Sequence, residues 1–341
     1  MDVTLKDIAN RIGRSVTTVS RALHDYDDVS PKTRALVKRV AEEMGYSPNT
    51  LAQRLQKRQS DTIGLVLPTF GPRFSDPFFS ELLAGVGNMA ASLGFDMLVS
   101  TSPPGDRELE AYRKLMNGRR VDGFVVVRTR KEDRRIQYLL EEEFPFVAFG
   151  RMGSRNDFPY VDEDGEYGMR LVADHLVSLG YQHIGCIAPD PKLMFAASRL
   201  NGLREGLTVH GITLNENYVC IGDLTQSSGY AQANCLLDKP NPPNAIVACN
   251  DLMAFGAMSA IQDRGLVVGK DVAVTGFDDI PMAEHTHPPL TTVHQPVYQI
   301  GSMVCEKLIA LIRGESGGER NLVLKPSLIV RKSCGEKIKQ G

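Results

Sequence analysis

Residues 4–23 read TLKDIANRIGRSVTTVSRAL, and the reading of the whole chain turns on them. Leu5, Ile8, Ala9 and Ile12 fall at i, i+3, i+4 and i+7, the apolar stripe of a short helix. Thr4 stands where a side-chain oxygen satisfies an orphan backbone N–H of the first turn. Gly13 stands where a left-handed residue ends the helix at little steric cost. Ser15 is placed to cap a second helix, with Val19 and Leu23 turned inward. A turn this short makes the two helices cross steeply, the helix-turn-helix arrangement. Val16, Thr17, Ser20 and Arg21 are then left on the outer face, where they would enter a major groove of double-stranded DNA.

Two more helices announce themselves by the same signal. Ser30-Pro31 places an N-cap before a proline at the first helical position. Thr33, Leu36, Val37, Val40, Ala41 and Met44 continue the helical period until Gly45 ends it. Ser47-Pro48 repeats the signal before a segment with only Leu51, Ala52 and Leu55 as apolar residues. So small an apolar face does not hold a helix in water by itself, and the segment should fold only against a partner.

These residues together resemble the headpiece of the lactose-repressor family of bacterial transcription factors, and the resemblance continues through the rest of the chain. It implies a hinge helix that pairs with its copy in a homodimer and drives Leu55, with Ala52 alongside, into the minor groove. Apolar wedges between base steps kink DNA in this way. Arg14 departs from the family, which usually has an apolar residue at that place.

The charge distribution agrees. Residues 1–60 hold 11 Lys/Arg against 7 Asp/Glu, whereas the remainder holds 28 against 34, so a basic headpiece is joined to a mildly acidic body, the footprint of a protein that meets DNA at one end. A hydrophobic content of 42% without a long uncharged run excludes a transmembrane helix. The charged, helix-patterned start shows no signal peptide. Cys186, Cys220, Cys235, Cys249, Cys305 and Cys334 are scattered singly, which is neither a disulfide framework nor a zinc site. A reducing cytoplasm is the expected location, and no cofactor is implied.

From Thr62 onward short apolar runs alternate with amphipathic segments. Strands are expected at Ile63–Leu67, Met97–Val99, Phe124–Val127 and Phe146–Phe149, with helices near Phe78–Leu93 and Asp106–Asn117. After the polar stretch Met152–Asp157 the rhythm restarts, with strands at Ile184–Ile187, Tyr218–Ile221, Ile246–Cys249 and Val272–Phe277. Helices there include Gly165–Leu179 and Leu252–Arg264. Leu290–Val293, a helix over Val297–Ile312 and two last strands near Asn321–Leu324 and Leu328–Val330 follow. Buried strands between helices imply right-handed βαβ units and largely parallel sheets. The fold class expected is an all-α helix-turn-helix headpiece plus an α/β core of two Rossmann-like lobes, like type I periplasmic binding proteins. The domains are 1–46 for the headpiece, 47–60 for the hinge helix and linker, and 61–341 for the ligand-binding and dimerisation core. Within the core the first lobe spans about 61–160 and 294–322, the second about 161–290 and 323–335. Ligand belongs in the cleft between them.

Candidate DNA contacts start with Arg21, whose guanidinium can donate two hydrogen bonds to guanine O6 and N7. Val16 suits a thymine methyl and Thr17 either polar or methyl contact. Thr4, Ser15, Ser30 and Thr33 reach toward phosphates while doubling as cap or turn residues, which positions a headpiece without specifying sequence. In the core, AASRLNGL (residues 196–203) resembles the family's cleft motif and assigns Arg199 to grip sugar hydroxyls. Its planar fork of donors suits vicinal hydroxyls. Asn250-Asp251 follows a buried strand, with Asn250 facing ligand and Asp251 capping the next helix. GFDD (276–279) puts Asp278 at a strand end facing the cleft and leaves Asp279 structural. Phe78 in SDPFF (75–79), Arg151 in FGR (149–151), Phe195, and Gln295 in VHQP (293–296) complete the ligand set, with Phe79 in the core. The SDPFF and FGR pair resembles maltose- or α-glucoside-responsive members.

Catalytic patterns fail on context, so no enzyme is expected. Residues 314–318 fit G-x-S-x-G but lie between a helix and a strand, whereas a nucleophile elbow runs from strand to helix. Residues 85–90 mimic a dinucleotide fingerprint yet sit mid-helix. His285 and His287 lack further ligands for a metal. The function implied is a repressor of carbohydrate-utilisation genes, bound to a near-palindromic operator and released by a sugar. A corepressor-dependent, purine-type repressor and a sugar-binding protein without regulatory role remain open beside it.

Overall fold

The computed structural model describes residues 3–23, 25–46, 59–69, 76–153, 157–315 and 319–335. Its contacts divide into two units, Met1–Ser60 and Asp61–Gly341. The expected hinge helix, with Leu51, Ala52 and Leu55, lies outside the described residues.

The first unit consists of α1 (Leu5–Ile12), α2 (Val16–Leu23) and α3 (Pro31–Glu43). Thr4 and Asp7 form a capping box, the Thr4 hydroxyl accepting from Asp7 N and the Asp7 carboxylate accepting from Thr4 N. Gly13, at φ +62°, ends α1 in the left-handed region and donates its N–H to the Ala9 carbonyl. Ser15 accepts from Thr18 N at 3.1 Å and so opens α2. Ser30 accepts from Thr33 N at 3.2 Å and opens α3, whose first residue is Pro31. Ile8, Val19, Ala22 and Val37 are fully buried together, and Leu23 packs only at the edge of that core. Ala22, beside Leu23, is the more deeply buried of the two.

In chain order the second unit runs β1 (Thr62–Pro68), α4 (Pro77–Ser92), β2 (Asp96–Ser102), α5 (Asp106–Asn117), β3 (Gly123–Val126), α6 (Arg134–Glu141), β4 (Phe146–Phe149) and β5 (Tyr160–Glu163). It continues with α7 (Gly165–Ser178), β6 (Ile184–Ala188), α8 (Met194–Val209), β7 (Val219–Ile221), α9 (Gln226–Leu237), β8 (Ala245–Ala248), α10 (Asp251–Asp263) and β9 (Ala273–Asp278). It closes with β10 (Thr291–His294), α11 (Val297–Ile312), β11 (Asn321–Leu324) and β12 (Ser327–Ile329).

The strands form two six-stranded sheets, β11-β5-β4-β3-β1-β2 and β12-β10-β9-β8-β6-β7. Every pair is parallel except β10 with β12. In the first lobe, Phe79, Leu82 and Val86 of α4 and Ile300, Val304 and Leu308 of α11 share one core with Leu65 and Val125. Tyr112 and Leu115 of α5 and Ile136 and Leu139 of α6 cover the other face over Val66 and Phe124. One cluster fills the second lobe, where α7 packs on α8 and α9 on α10. The parallel, doubly covered sheets explain why their strands read as unbroken apolar runs.

The chain passes between the lobes three times, after Glu163, after His294 and after Leu324. β5 and β11 carry the first lobe a few residues further along the chain than the sequence reading placed it. YVDE at 160–163 alternates buried and half-exposed residues and does not read as an apolar strand. The dinucleotide look-alike at Gly85 lies mid-helix in α4, where a Cβ would stand 2.2 Å from the Tyr298 carbonyl. That glycine lets α4 and α11 touch.

Candidate functional site

On the headpiece, Ser15, Thr17, Arg21, Ser30 and Thr33 line one shallow concavity together with Arg14 and Asp28. Thr4, Val16 and Ser20 lie outside it, and Val16 is an exposed apolar residue at 43%. Arg21 is exposed, pairs with Asp28 at 2.8 Å and lies 5.1 Å over the Tyr26 ring. The ion pair pre-sets its guanidinium without burying it. Arg14, the departure from the family pattern, borders the same surface, so the added cation faces outward with Arg21.

In the second unit, one cleft opens between the two sheets, with about 750 Å³ of space counted out to its mouth. Phe78, Arg151, Phe195, Arg199, Asn250, Asp278 and Gln295 all line it. They arrive from α4, from the ends of β4, β8, β9 and β10, and from α8. Carboxyl ends of parallel strands gather such residues because the helices that follow leave the crevice open.

Arg199 is the centre of the charge pattern and is only 4% exposed. Its Nη2 donates to Glu163 Oε1 at 2.9 Å and its Nη1 to the Cys249 carbonyl at 2.6 Å. Asp278 Oδ1 stands 3.4 Å from Nη1 and accepts from Gln295 Nε2 at 2.5 Å. The guanidinium carbon lies 3.6 Å over the Phe277 ring and 4.9 Å over Phe195. Gly202 makes this placement possible, since a Cβ there would meet the Glu166 carbonyl at 2.3 Å and push α8 off α7. Asp278 sits at φ +119°, a conformation that L residues rarely adopt, and such strain gathers at functional sites.

Two further arginines are already matched. Arg128 meets Asp76 at 2.6 Å, and Arg151 meets Asp162 at 2.6 Å. Burial pushes the carboxyls of Asp76 and Asp162 upward, against the pull of Arg128 and Arg151. Burial likewise pushes Glu163 up to about 6 and Asp278 well above the usual carboxylate range, with Arg199 opposing both. Among the described residues, Glu163 Oε2 and Arg199 Nε are buried without a hydrogen-bond partner.

Asn250 lines the cleft as expected, but it also takes the capping role expected of Asp251. Asn250 caps α10, its Oδ1 accepting from Met253 N at 3.0 Å, while its Nδ2 donates to the Leu224 carbonyl. Asp251 is fully buried, accepts from Ile280 N and Thr292 Oγ1, and burial raises it to about 7. The asparagine stands one residue earlier, at the N-cap itself, with extended backbone. Asp279 is tied to Arg331 at 2.7 Å and His294 at 3.1 Å. Phe79 is fully buried, and Phe78 stacks on Phe149 with ring centroids 5.8 Å apart. Sequence reasoning missed Asp76, Arg128, Asp162 and Glu163. An acid ending a half-polar strand just before Asp164-Gly165 is the only signal for the last two.

Comparison with known proteins matches residues 4–49 to bacterial regulatory proteins of the lacI family and residues 173–334 to the periplasmic binding protein-like domain. The HTH-type transcriptional regulator CelR of Thermobifida fusca is 36% identical over 333 residues, 97% of this chain and 98% of its own length. AglR of Rhizobium meliloti, another HTH-type transcriptional regulator, is 35% identical over 339 residues, 98% and 95%. Among solved structures, the complex of the transcriptional regulator CelR with cellobiose has a TM-score of 0.76 at 34% identity, covering 97% of this chain and 99% of that one. The lac repressor dimer bound to operator and the anti-inducer ONPF has a TM-score of 0.86 at 30% identity, covering 98% and 100%. With headpiece and two-lobed core both matched over nearly their whole length, the chain belongs to the lacI family of bacterial regulatory proteins, DNA-binding transcriptional regulators of the helix-turn-helix type.

Proposed function

We propose that this regulator is a homodimeric repressor of carbohydrate-utilisation genes, acting in the cytoplasm on a near-palindromic operator and released when a glucose disaccharide enters the cleft. One observation carries the choice of ligand. Each of the three arginines that line the cleft already has a carboxylate partner, so among the described residues no cleft cation is left for an anionic effector. Glu163, Arg199, Asp278 and Gln295 line the cleft with carboxylate, guanidinium and amide groups suited to hydroxyls, and Phe78 and Phe195 offer apolar faces to a pyranose ring. A relative solved with cellobiose supports the same ligand class. Arg21, Val16 and Thr17 read bases, and the capping residues Thr4, Ser15 and Ser30, together with Thr33, meet phosphates. Ala52 and Leu55 enter the minor groove. The cleft serves as a receptor for the effector, and the protein works as a switch and not as a catalyst.

Sugar and operator then weaken one another's binding by the same factor, because each favours a different state. The test is operator binding by the purified protein at fixed salt, using its own upstream DNA, with and without cellobiose, maltose and monosaccharides. Phosphate contacts make the affinity steeply salt-dependent, hence the fixed salt. Release by one disaccharide supports the reading, and tighter binding with a purine would replace it by corepression.

A further inference from the structure

The first lobe buries three charged side chains that do not line the cleft. Arg135 on α6 is 1% exposed, and Glu108 on α5 and Asp133 are fully buried. Arg135 Nη1 donates to Glu108 Oε1 at 2.7 Å, and Nη2 and Nε donate to Asp133 at 2.6 and 2.9 Å. The other Glu108 oxygen accepts from Arg130 Nη2 at 2.7 Å. Apolar replacements of such buried sets are often as stable or more so, which makes packing alone a poor account of them.

The remaining bonds of the set converge on one loop. Arg135 donates to the Val127 carbonyl at 3.1 Å and the Arg128 carbonyl at 3.0 Å. Asp133 Oδ2 accepts from Arg130 N at 3.1 Å. Between these anchors Arg128 is held at φ +50°, a strained value for a non-glycine residue. Its guanidinium reaches Asp76, which caps α4 at Phe78, so the loop also fixes that wall of the cleft.

The same loop leaves its own lobe. The Thr129 carbonyl accepts from Met194 N at 2.9 Å, and Lys131 N donates to the Lys192 carbonyl at 3.0 Å. Arg130 and Leu193 form an antiparallel bridge between these two bonds. Main-chain bonds thus join the lobes at the rim of the cleft, away from the three crossing segments.

We propose that Arg135 is a positioning residue for the effector cleft, holding residues 127–131 in the conformation that latches the first lobe to Met194 of the second. The idea rests on the cleft being the effector site, yet its geometry is testable without an effector. Affinity is then set in part by groups no ligand touches, because a latched cleft needs less closure on binding.

Met194 is the first residue of α8 and follows an extended Leu193 at φ −73°, ψ 132°. A proline is tolerated there and removes one N–H. Met194→Pro is compared with Met194→Leu, which keeps the N–H and changes the same side chain. Hydrogen exchange on the full, ligand-free chain reads the result. With Met194→Leu the Lys131 amide stays protected, and with Met194→Pro it exchanges at least about tenfold faster while the α4 and α8 interiors do not change. Arg135→Lys, which keeps the charge and loses the fork, gives the same acceleration with helical circular dichroism intact. Should that variant fail to fold, Glu108→Gln takes its place. An unprotected Lys131 amide in the native protein, or one indifferent to Met194→Pro, overturns the latch. Indifference to a folded Arg135→Lys or Glu108→Gln overturns the role of Arg135. Calorimetric titration with cellobiose and maltose adds a second readout, weaker by roughly two- to tenfold for Met194→Pro than for Met194→Leu, the range one hydrogen bond spans. Failure of both sugars to bind either protein counts against the disaccharide reading and leaves the exchange result standing.

Discussion

Glu163→Gln tests the electrostatics of the cleft by its pH dependence. Glu163 is 4% exposed, and burial outweighs Arg199 to lift its carboxyl from 4.5 to about 6. That difference corresponds to about 2 kcal/mol. Because the folded protein holds this proton more tightly than the unfolded chain, the associated stability is fully present below pH 4.5 and is lost as the pH rises through 6. Glutamine copies the shape of the neutral acid and does not titrate. Whatever fixed cost the exchange carries, the stability of Glu163→Gln relative to the native protein should shift by about 2 kcal/mol in favour of the variant between pH 4.5 and 7.5. Urea unfolding of both proteins, at half-unit steps over that window, measures the difference while other titrating groups largely cancel. A stability difference that stays flat across the window refutes the reasoning, since it would mean the carboxylate is not held at a desolvation cost.

Arg21→Ala should weaken operator binding about tenfold or more, as for loss of a bidentate guanine contact. Headpiece stability should change by less than about 1 kcal/mol, because the Arg21–Asp28 pair is exposed; fluorescence anisotropy and thermal unfolding read the two. Gly202→Ala should cost about 1–3 kcal/mol, because its Cβ meets the Glu166 backbone, and should blunt sugar release by displacing Arg199, which unfolding and operator-release titrations check together. Leu55→Ala should lower operator affinity while sparing sugar binding measured by calorimetry, and unchanged operator binding would remove the wedge from the mechanism.

The headpiece was legible because its helices are short and bounded by caps. Thr4, Gly13, Ser15 and Ser30 each do locally what local chemistry predicts. The core strands were legible because both faces are covered, so burial leaves an apolar run; α11 and β11 begin and end where the pattern put them. α6 was missed since its eight residues RRIQYLLE begin with two arginines, and only the fold shows that Arg135 is buried against acids from other elements. The same limit hid the partners of Arg128 and Arg151. Cysteines far apart in sequence show it too, because β6 and β8 are neighbours and bring the Cys186 thiol against Cys249. Spacing along a chain carries information about neighbours within a helix or strand and very little about pairs brought together by sheet order.

The threefold passage of the chain between its lobes has a consequence for how the molecule is made. A ribosome delivers β1 to β5 first, yet the apolar face of α4 is covered by α11, and β5 gains its outer neighbour only when β11 appears. Everything from β6 to β10 is synthesised in between. Phe79, Leu82 and Val86 must therefore wait uncovered while the second lobe is translated. Neither lobe is a foldon that can be completed early, and domain-by-domain maturation is closed to this core. Nascent chains stalled between β10 and α11 should be the ones that chaperones hold, and truncations there should aggregate where truncations of the headpiece do not.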